Sequence, residues 1–522
     1  MAIKLLDCTL RDGGHLNKSQ FGEQTIVGIL RGLTQSKVDF VEIGFVRYEN
    51  VGKNFAAVNR IEEFAERFSL DDETTKYTVM IQEDQYDADK LPNSADSKIK
   101  RLRVSFHDYD MKEGMDFCRK VIRKGYICHV NPINIVGYSD SAVIEIIKQV
   151  NDMGAGVFTL VDTFGSMTRN DLLRLFMLTD HNLSAGIDIG FHPHDNIQMA
   201  FSHGQTLAEL PQCSRDIIID ASLLGMGRPP GNLCLEIMMA YLNDCHNANY
   251  KVDYALDLID EYIAALKQNH PWGYATAYAL SAQYKLHRSY GEYLMKKQKL
   301  KTKQMRQILS SIAAEKKSRY DEAYIEKMYR DFILTDIDDF DLCTKLKDEM
   351  RSRDVLLLAP GRSLKSCRDE ILTFVAERKP FVIAANFAPQ FMEADYVFCS
   401  NIKRLENIES NKVNAHIIIG SNVAKFTHKS YPQLNANRLA NFDGIFWDNC
   451  MLMLLNLVRV LKKSMCFTAG WDGFSKQNNF FDESYDTIYD YEAENQRVVN
   501  ILKEYFKDMK ICFITPSLYD VK

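Results

Sequence analysis

The 522-residue sequence contains no uninterrupted apolar run of about 18 residues, the length a membrane-spanning helix requires, so no membrane span is expected. It has no basic excess either: 64 Lys and Arg face 70 Asp and Glu, a formal net charge of −6, which gives no sign of a nucleic-acid partner. Its 12 cysteines are scattered singly, without a Cys-x-x-Cys pair, so neither a zinc-thiolate site nor a disulfide framework is supported. In a chain of this size they read as reduced, mostly buried thiols of a cytosolic protein. Neither a signal peptide nor a transit peptide precedes Met1-Ala2-Ile3-Lys4, which leads straight into a strand, and a cytoplasmic location is expected. Low-complexity linkers and short repeats are also lacking. What is present, 46% hydrophobic and 26% charged residues, is an ordinary soluble globular balance over a length that calls for two or three cores.

The first 240 or so residues repeat a rhythm of short apolar run, turn and longer amphipathic stretch. Apolar runs fall at Ile3–Leu6, Phe40–Phe45, Tyr77–Ile81, Leu102–Phe106, Ile127–Val130, Val157–Val161, Gly186–Phe191 and Ile217–Leu223. Helical periodicity lies between them at Glu23–Leu33, Phe55–Phe68, Gly114–Lys124, Ser141–Met153 and Arg169–Asp180. Eight strand-then-helix units of this length predict a (β/α)8 TIM barrel over residues 1–248; a doubly wound open sheet is the alternative. Residues 249–349 are charged and helical, a helical extension expected to complete the active site, and the basic stretches Lys296–Lys303 and Glu315–Lys327 read as solvated faces. At Asp354–Ala359 the pattern returns to a buried strand, with further strand-like runs at Phe381–Ala385, Tyr396–Cys399, His416–Ile419 and Ile511–Thr515. Residues 350–522 therefore read as a separate α/β, Rossmann-like domain.

Polar residues cluster just after the barrel strands, where βα loops converge on one face. Arg11-Asp12-Gly13-Gly14-His15 follows the first run, Asp162-Thr163-Phe164-Gly165 the sixth, and His192-Pro193-His194 the seventh. His192 and His194 are two apart, so on a strand they point the same way and can hold one cation from one side. With Asp12 they leave positions open for substrate and water, and this mixed oxygen and nitrogen set suits Mn2+, Mg2+ or a similar divalent ion. Arg11 can hold a carboxylate or stabilise developing enolate charge, and His15 is a candidate general base. After the eighth run, Gly225-Met226-Gly227-Arg228-Pro229-Pro230-Gly231-Asn232 offers turn glycines and, in Asn232, a further oxygen ligand. Thr163, Gly225 and Gly227 are candidate substrate-binding positions.

Three motifs, in order, carry a resemblance: Thr-Leu-Arg-Asp-Gly at residues 9–13, His-x-His at 192–194, and Gly225, Gly227, Gly231, Asn232 and Glu236. Over about residues 1–345 the chain resembles the metal-dependent, pyruvate-utilising barrel lyases and synthases, the group of HMG-CoA lyase and isopropylmalate synthase. Within that group it is most similar to the 4-hydroxy-2-oxovalerate aldolases. The synthases of the group typically carry Gln where this chain has His15, and HMG-CoA lyase has a catalytic cysteine in its glycine loop, whereas residues 225–232 contain none. The Gly273-Tyr274-Ala275-Thr276-Ala277-Tyr278 segment is similar to one that offers the aldolases a tyrosine, which makes Tyr274 and Tyr278 catalytic candidates.

The resemblance implies a class II pyruvate aldolase that splits a 4-hydroxy-2-oxo acid into pyruvate and an aldehyde, or joins them. A divalent ion would sit on Asp12, His192 and His194, with Arg11 neutralising charge and His15 handling the 4-hydroxyl proton. It also implies an acylating aldehyde dehydrogenase partner, and a homo-oligomer is expected. Two segments depart from the aldolases, Arg228-Pro229-Pro230 in the glycine loop and Gly44-Phe45-Val46-Arg47-Tyr48 after the second strand, and they leave the aldehyde open. In the last domain Ala359-Pro360-Gly361-Arg362-Ser363-Leu364 faintly resembles a turn of nucleotide-sugar-using transferases of bacterial surface polysaccharide pathways. That makes Gly361, Arg362 and Ser363 nucleotide-binding candidates and points to sugar metabolism. The alternatives are an acyl-CoA-dependent Claisen synthase on the same barrel, against which His15 speaks, and a non-catalytic scaffold barrel.

Overall fold

Each of the eight early apolar runs lies on a strand of one closed parallel sheet. The computed structural model describes residues 2–68, 70, 76–210, 215–297, 299–410, 415–442, 445–475 and 491–520. The chain divides into two compact units, Met1–Gly291 with Ile312–Tyr320, and Glu292–Ser311 with Asp321–Lys522.

In the first unit the strands are β1 (Ile3–Asp7), β2 (Phe40–Val46), β3 (Lys76–Gln82), β4 (Arg101–Phe106), β5 (Ile127–Pro132), β6 (Val157–Asp162), β7 (Asp188–Pro193) and β8 (Ile217–Ala221). Neighbours in sequence are neighbours in the sheet, and β1 pairs with both β8 (Ile3↔Ile217) and β2 (Leu6↔Phe40), which closes the barrel. Helices Glu23–Gln35, Met111–Arg123, Asp140–Met153 and Arg169–Asn182 follow as the periodicity predicts. Two of them start on side-chain caps, Ser139 on Ala142 N and Thr168 in a capping box with Asp171.

Strand alternation sorts the side chains. Leu5, Val41, Ile43, Ile217 and Ile219 join the large outer core between strands and helices. Leu6, Phe40, Val157 and Ile218 form a separate apolar cluster with Cys8. Glu42 is two residues beyond Phe40 and Asp220 two beyond Ile218, so each shares its neighbour's face one step nearer the carboxyl end. The barrel thus changes from apolar to charged toward the end where the βα loops lie.

The expected helix at Phe55–Phe68 is largely absent. Ala57–Val58 is instead a short strand beside β2 (Phe45↔Ala57, Val46↔Val58), and helix begins only at Glu62. The cause is a bulge: the β2–β3 register shifts between Glu42 and Phe45, and Phe45 N donates to Ala56 O at 3.1 Å. Gly44, with φ +148°, permits it, since a Cβ there would lie 1.9 Å from the Ala56 carbonyl oxygen.

The second unit is a doubly wound parallel sheet. Its strands are β9 (Val355–Leu358), β10 (Phe381–Ala385), β11 (Tyr396–Cys399), β12 (His416–Gly420), β13 (Gln433–Leu434), β14 (Met465–Ala469) and β15 (Lys510–Phe513), in the order β13-β12-β11-β10-β9-β14-β15. Helices Arg368–Arg378, Ile402–Ser410, Cys450–Val460 and Tyr491–Tyr505 connect them. Sequence reading missed β14 because Met-Cys-Phe-Thr-Ala lacks a β-branched run, yet this strand lies between β9 and β15. Strand order reverses between β9 and β14, the place where such sheets open a crevice. Among the described residues, no helix is long and apolar enough to cross a membrane.

Asp7 ends β1 fully buried, accepting from Thr9 N at 3.0 Å and Thr9 Oγ1 at 2.7 Å. Burial pushes its carboxyl up to about 7, against the pull of the Thr9 hydrogen bonds and with help from Glu42 and Glu236. Because the folded form binds this proton more tightly than the unfolded chain does, Asp7 costs stability as pH rises from about 4 to about 7. Asp7→Asn is therefore expected to gain on the wild type between pH 5 and pH 8, by on the order of 3 kcal/mol at most. Calorimetric unfolding of both proteins at the two pH values checks this, and a pH-independent difference would refute it.

Candidate active site

The Cys8 turn after β1 leads into a one-turn helix, Thr9–Asp12, that carries Arg11 and Asp12 on buried backbone. Thr9 Oγ1 accepts from Leu223 N at 2.9 Å and so ties the β1 end to the β8 end. Gly13 has an ordinary helical φ of −58°. Its requirement for glycine is close approach, because a Cβ would lie 2.3 Å from Thr9 O and 2.9 Å from Met226 Sδ.

Asp12 is the meeting point. Its Oδ2 accepts from Asn232 Nδ2 at 2.8 Å and faces His192 Nε2 at 3.2 Å and His194 Nε2 at 3.7 Å. Its Oδ1 faces Arg11 Nη1 at 3.4 Å and His15 Nε2 at 3.7 Å. The far nitrogen of each imidazole is engaged: His192 Nδ1 meets Asp220 Oδ2 at 2.8 Å, and His194 Nδ1 meets the Asp162 carbonyl at 3.0 Å. Both rings are thereby turned with Nε2 toward one carboxylate oxygen, and they stand edge to face with centroids 4.9 Å apart.

Behind this cluster runs a buried chain of charges. Arg11 Nε donates to Glu42 Oε2 at 2.7 Å, and Arg103 Nη1 donates to the same oxygen at 2.9 Å. Arg103 Nη2 donates to Asn131 Oδ1 at 3.2 Å and to Asp220 Oδ2, the oxygen that also holds His192. Arg103 is only 1% exposed and Glu42 not at all, so each charge depends on its partner.

Burial opposes ionisation of Asp12, but Arg11 and then His192 outweigh it and hold the carboxyl well below its ordinary range. Burial, with His192 adding to it, pushes His194 down to about 4, so its ring is neutral. Burial disfavours a charged His192, yet hydrogen bonds to Asp12 and Asp220 raise it above the usual value. Burial, followed by Arg228, sets His15 well below the ordinary histidine range. Cys8 Sγ also lies close, its ligand atom and those of Asp12 and His192 falling within 4.8 Å of one another. Burial drives this thiol well above its usual range, and a soft sulfur is a poor match for a hard oxygen-preferring ion.

The donor set fits a divalent cation. One ionised carboxylate and two imidazole nitrogens converge, both rings are oriented from behind, and Asn232 Oδ1 is a buried acceptor with no hydrogen-bond partner. The glycine loop closes on Asn232: Gly225 has φ +62° and accepts from Asn232 N at 3.0 Å, and a Cβ on Gly227 would fall 2.6 Å from Asn232 Nδ2. The fold thus gathers Arg11, Asp12, His15, His192, His194, Asn232, Gly225 and Gly227. Thr163 Oγ1 accepts from Asn134 N at 2.7 Å in the next loops. Tyr274 is 54% exposed before helix Thr276–Gln283, on which Tyr278 is buried. Gly361, Arg362 and Ser363 belong to the second unit, at the β9 end of the strand-order reversal. There Ser363 N donates to Asp472 Oδ2 at 2.8 Å and Gly361 N to Gly470 O at 2.8 Å.

Sequence reasoning missed Glu42, Arg103 and Asp220. The signal available was a lone charge inside each buried strand, Phe-Val-Glu-Ile, Leu-Arg-Val and Ile-Ile-Asp-Ala, since such a charge must find a partner.

The chain is similar to 4-hydroxy-2-oxovalerate aldolase of Moorella thermoacetica, 26% identical over 298 residues covering 53% of this chain and 84% of the relative. The enzyme of that name from Pseudomonas putida is 25% identical over 247 residues, 46% of this chain and 68% of the relative. Among solved structures, HMG-CoA lyase from Brucella melitensis covers 51% of this chain and 99% of its own, at 15% identity and a TM-score of 0.42. The model of the HMGL-like family matches residues 2–262, half of the 522, and the protein belongs to that family.

Proposed function

We propose that the barrel catalyses the reversible aldol cleavage of a 4-hydroxy-2-oxo acid to pyruvate and an aldehyde, using Mn2+ or Mg2+ held by Asp12, His192 and His194 with Asn232 as a further oxygen donor. The observation that supports this most is the convergence of two imidazole Nε2 atoms on one Asp12 oxygen while both Nδ1 atoms are engaged. Similarity to the 4-hydroxy-2-oxovalerate aldolases supports the choice of reaction. A bound divalent ion would supply Lewis-acid polarisation of the 2-oxo group and stabilise the enolate charge.

The chain's own residues do the rest. Arg11, fixed by Glu42, presents a guanidinium beside Asp12 where the negative charge develops. His15, a neutral imidazole, takes the proton from the 4-hydroxyl as the C3–C4 bond breaks. The bond's electron pair passes to the pyruvate portion, and the oxygen left on C4 becomes the aldehyde carbonyl. Condensation reverses each transfer. Thr163, Gly225 and Gly227 are the candidate substrate-binding positions in this reading, and Tyr274 and Tyr278 the further catalytic candidates. A cytoplasmic setting is part of the same proposal.

The test is proton NMR of pyruvate methyl exchange in D2O with and without Mn2+, the ion being chelated before acquisition. Metal-dependent exchange that Asp12→Asn loses is the expected result; no exchange with metal bound would overturn the reading. His15→Asn should lower cleavage of 4-hydroxy-2-oxovalerate by roughly 10²- to 10⁴-fold, checked by coupled pyruvate detection. Asp220→Asn loosens the orientation of His192 and should weaken Mn2+ binding roughly 10- to 100-fold in an EPR titration. Unchanged affinity would remove Asp220 from the ligand support.

A further inference from the structure

Around His15 the site has a definite order. Nε2 faces Asp12 Oδ1 at 3.7 Å, and Nδ1 meets Arg228 Nη2 at 3.4 Å. The ring packs edge-on against Phe45 with centroids 5.6 Å apart, and the Arg47 guanidinium lies over the same Phe45 ring, Cζ 4.7 Å from its centroid. The His15 ring therefore has the cation-ligand cluster on one nitrogen and a guanidinium on the other, and a second guanidinium shares its aromatic neighbour.

The other arginines of the site are matched by carboxylates. Arg11 lies against Glu42 and Asp12, and Arg103 against Glu42 and Asp220. Arg47 is different. Its Nη2 donates to the neutral Ser19 hydroxyl at 3.0 Å, and its Nε is buried with no hydrogen-bond partner; the Arg103 Nε is likewise unpartnered, but the terminal nitrogens of Arg103 donate to two carboxylates and those of Arg47 to none. The carboxylate acting on it is that of Glu49, an exposed residue. A buried cationic N–H without an acceptor is costly, and it is tolerated where a ligand supplies the missing oxygen. Both arginines sit in the segments that depart from the aldolases, Arg47 beyond the Gly44 bulge and Arg228 in the glycine loop.

We infer that the aldehyde half of the substrate carries an anionic group, a carboxylate or a phosphate, which Arg47 and Arg228 bind beyond His15. This rests on the aldolase reading above. The oxo-acid end lies at Asp12, His192 and His194, the 4-hydroxyl at His15, and the chain beyond C4 runs to the two guanidinium groups. A small uncharged aldehyde would leave the Arg47 Nε unpaired, so the bound anion is a determinant of specificity rather than an accessory.

Condensation of pyruvate with matched aldehydes tests this: succinic semialdehyde against butanal for a carboxylate, and glyceraldehyde 3-phosphate against glyceraldehyde for a phosphate. The wild type is expected to favour at least one anionic member by about 10- to 100-fold in kcat/KM. Arg47→Gln and Arg228→Gln should each erase at least tenfold of that preference, chiefly through KM, and Arg47→Lys should restore part of it. Whichever pair shows the preference identifies the anion. Equal use of both members of each pair by a wild type that exchanges pyruvate protons overturns this inference alone, as does a preference that survives both Gln variants. A wild type without metal-dependent exchange overturns the aldolase reading and this inference with it.

Discussion

Asp220 Oδ2 is held by Arg103 on one side and by His192 Nδ1 on the other, and the whole site hangs on that shared oxygen. Through Arg103 it connects to Glu42, and through Glu42 to Arg11, so one buried chain of charges positions the His192 imidazole and the Arg11 guanidinium together. Such a chain stabilises little by itself, because taking each ion out of water cancels most of the attraction. Losing one member is another matter: removing Arg103 would strand Glu42 and Asp220 as unpaired carboxylates inside the barrel, a loss of roughly 3–5 kcal/mol. The chain therefore fixes geometry. A barrel interior filled with leucine would be at least as stable and would hold no ion.

The same arrangement explains why the charged residues sit where they do along the strands. Phe40 and Ile218 belong to the interior apolar cluster, and the next residues on the same faces, Glu42 and Asp220, begin the polar level. Two-residue steps along parallel strands thus convert packing into chemistry within one side-chain layer. The Gly44 bulge adds a second device, shifting the register after Glu42 so that Phe45 lies against His15 and supports Arg47.

Much of this was legible in the sequence, for reasons that differ by element. The strands were readable because runs such as Ile-Ile-Ile at residues 217–219 are β-branched and buried on both faces, and Asp12, His192 and His194 because their motifs are local. Glu42, Arg103 and Asp220 were not, since a single charge in an apolar run does not reveal which distant strand supplies its partner. The Phe55–Phe68 stretch misled because its apolar spacing suits a helix, while the bulge opposite it offered Ala57 and Val58 a strand to pair with. The need for glycine at Gly13 was not legible either, since it comes from the nearness of Thr9 O and Met226 rather than an unusual φ. Arg47 and Arg228 stood out only as departures from the aldolases. Their meaning emerged once both were placed around His15.

The most direct measurement is anomalous diffraction at the manganese edge from crystals grown with Mn2+ and oxalate, a planar mimic of the enolate. A single manganese peak within ligand distance of Asp12 Oδ2, His192 Nε2 and His194 Nε2, with oxalate chelated beside Arg11, is the predicted result. No peak at that place, or a manganese ion bound by other residues of the barrel, would contradict the assignment of this cluster as the catalytic metal centre.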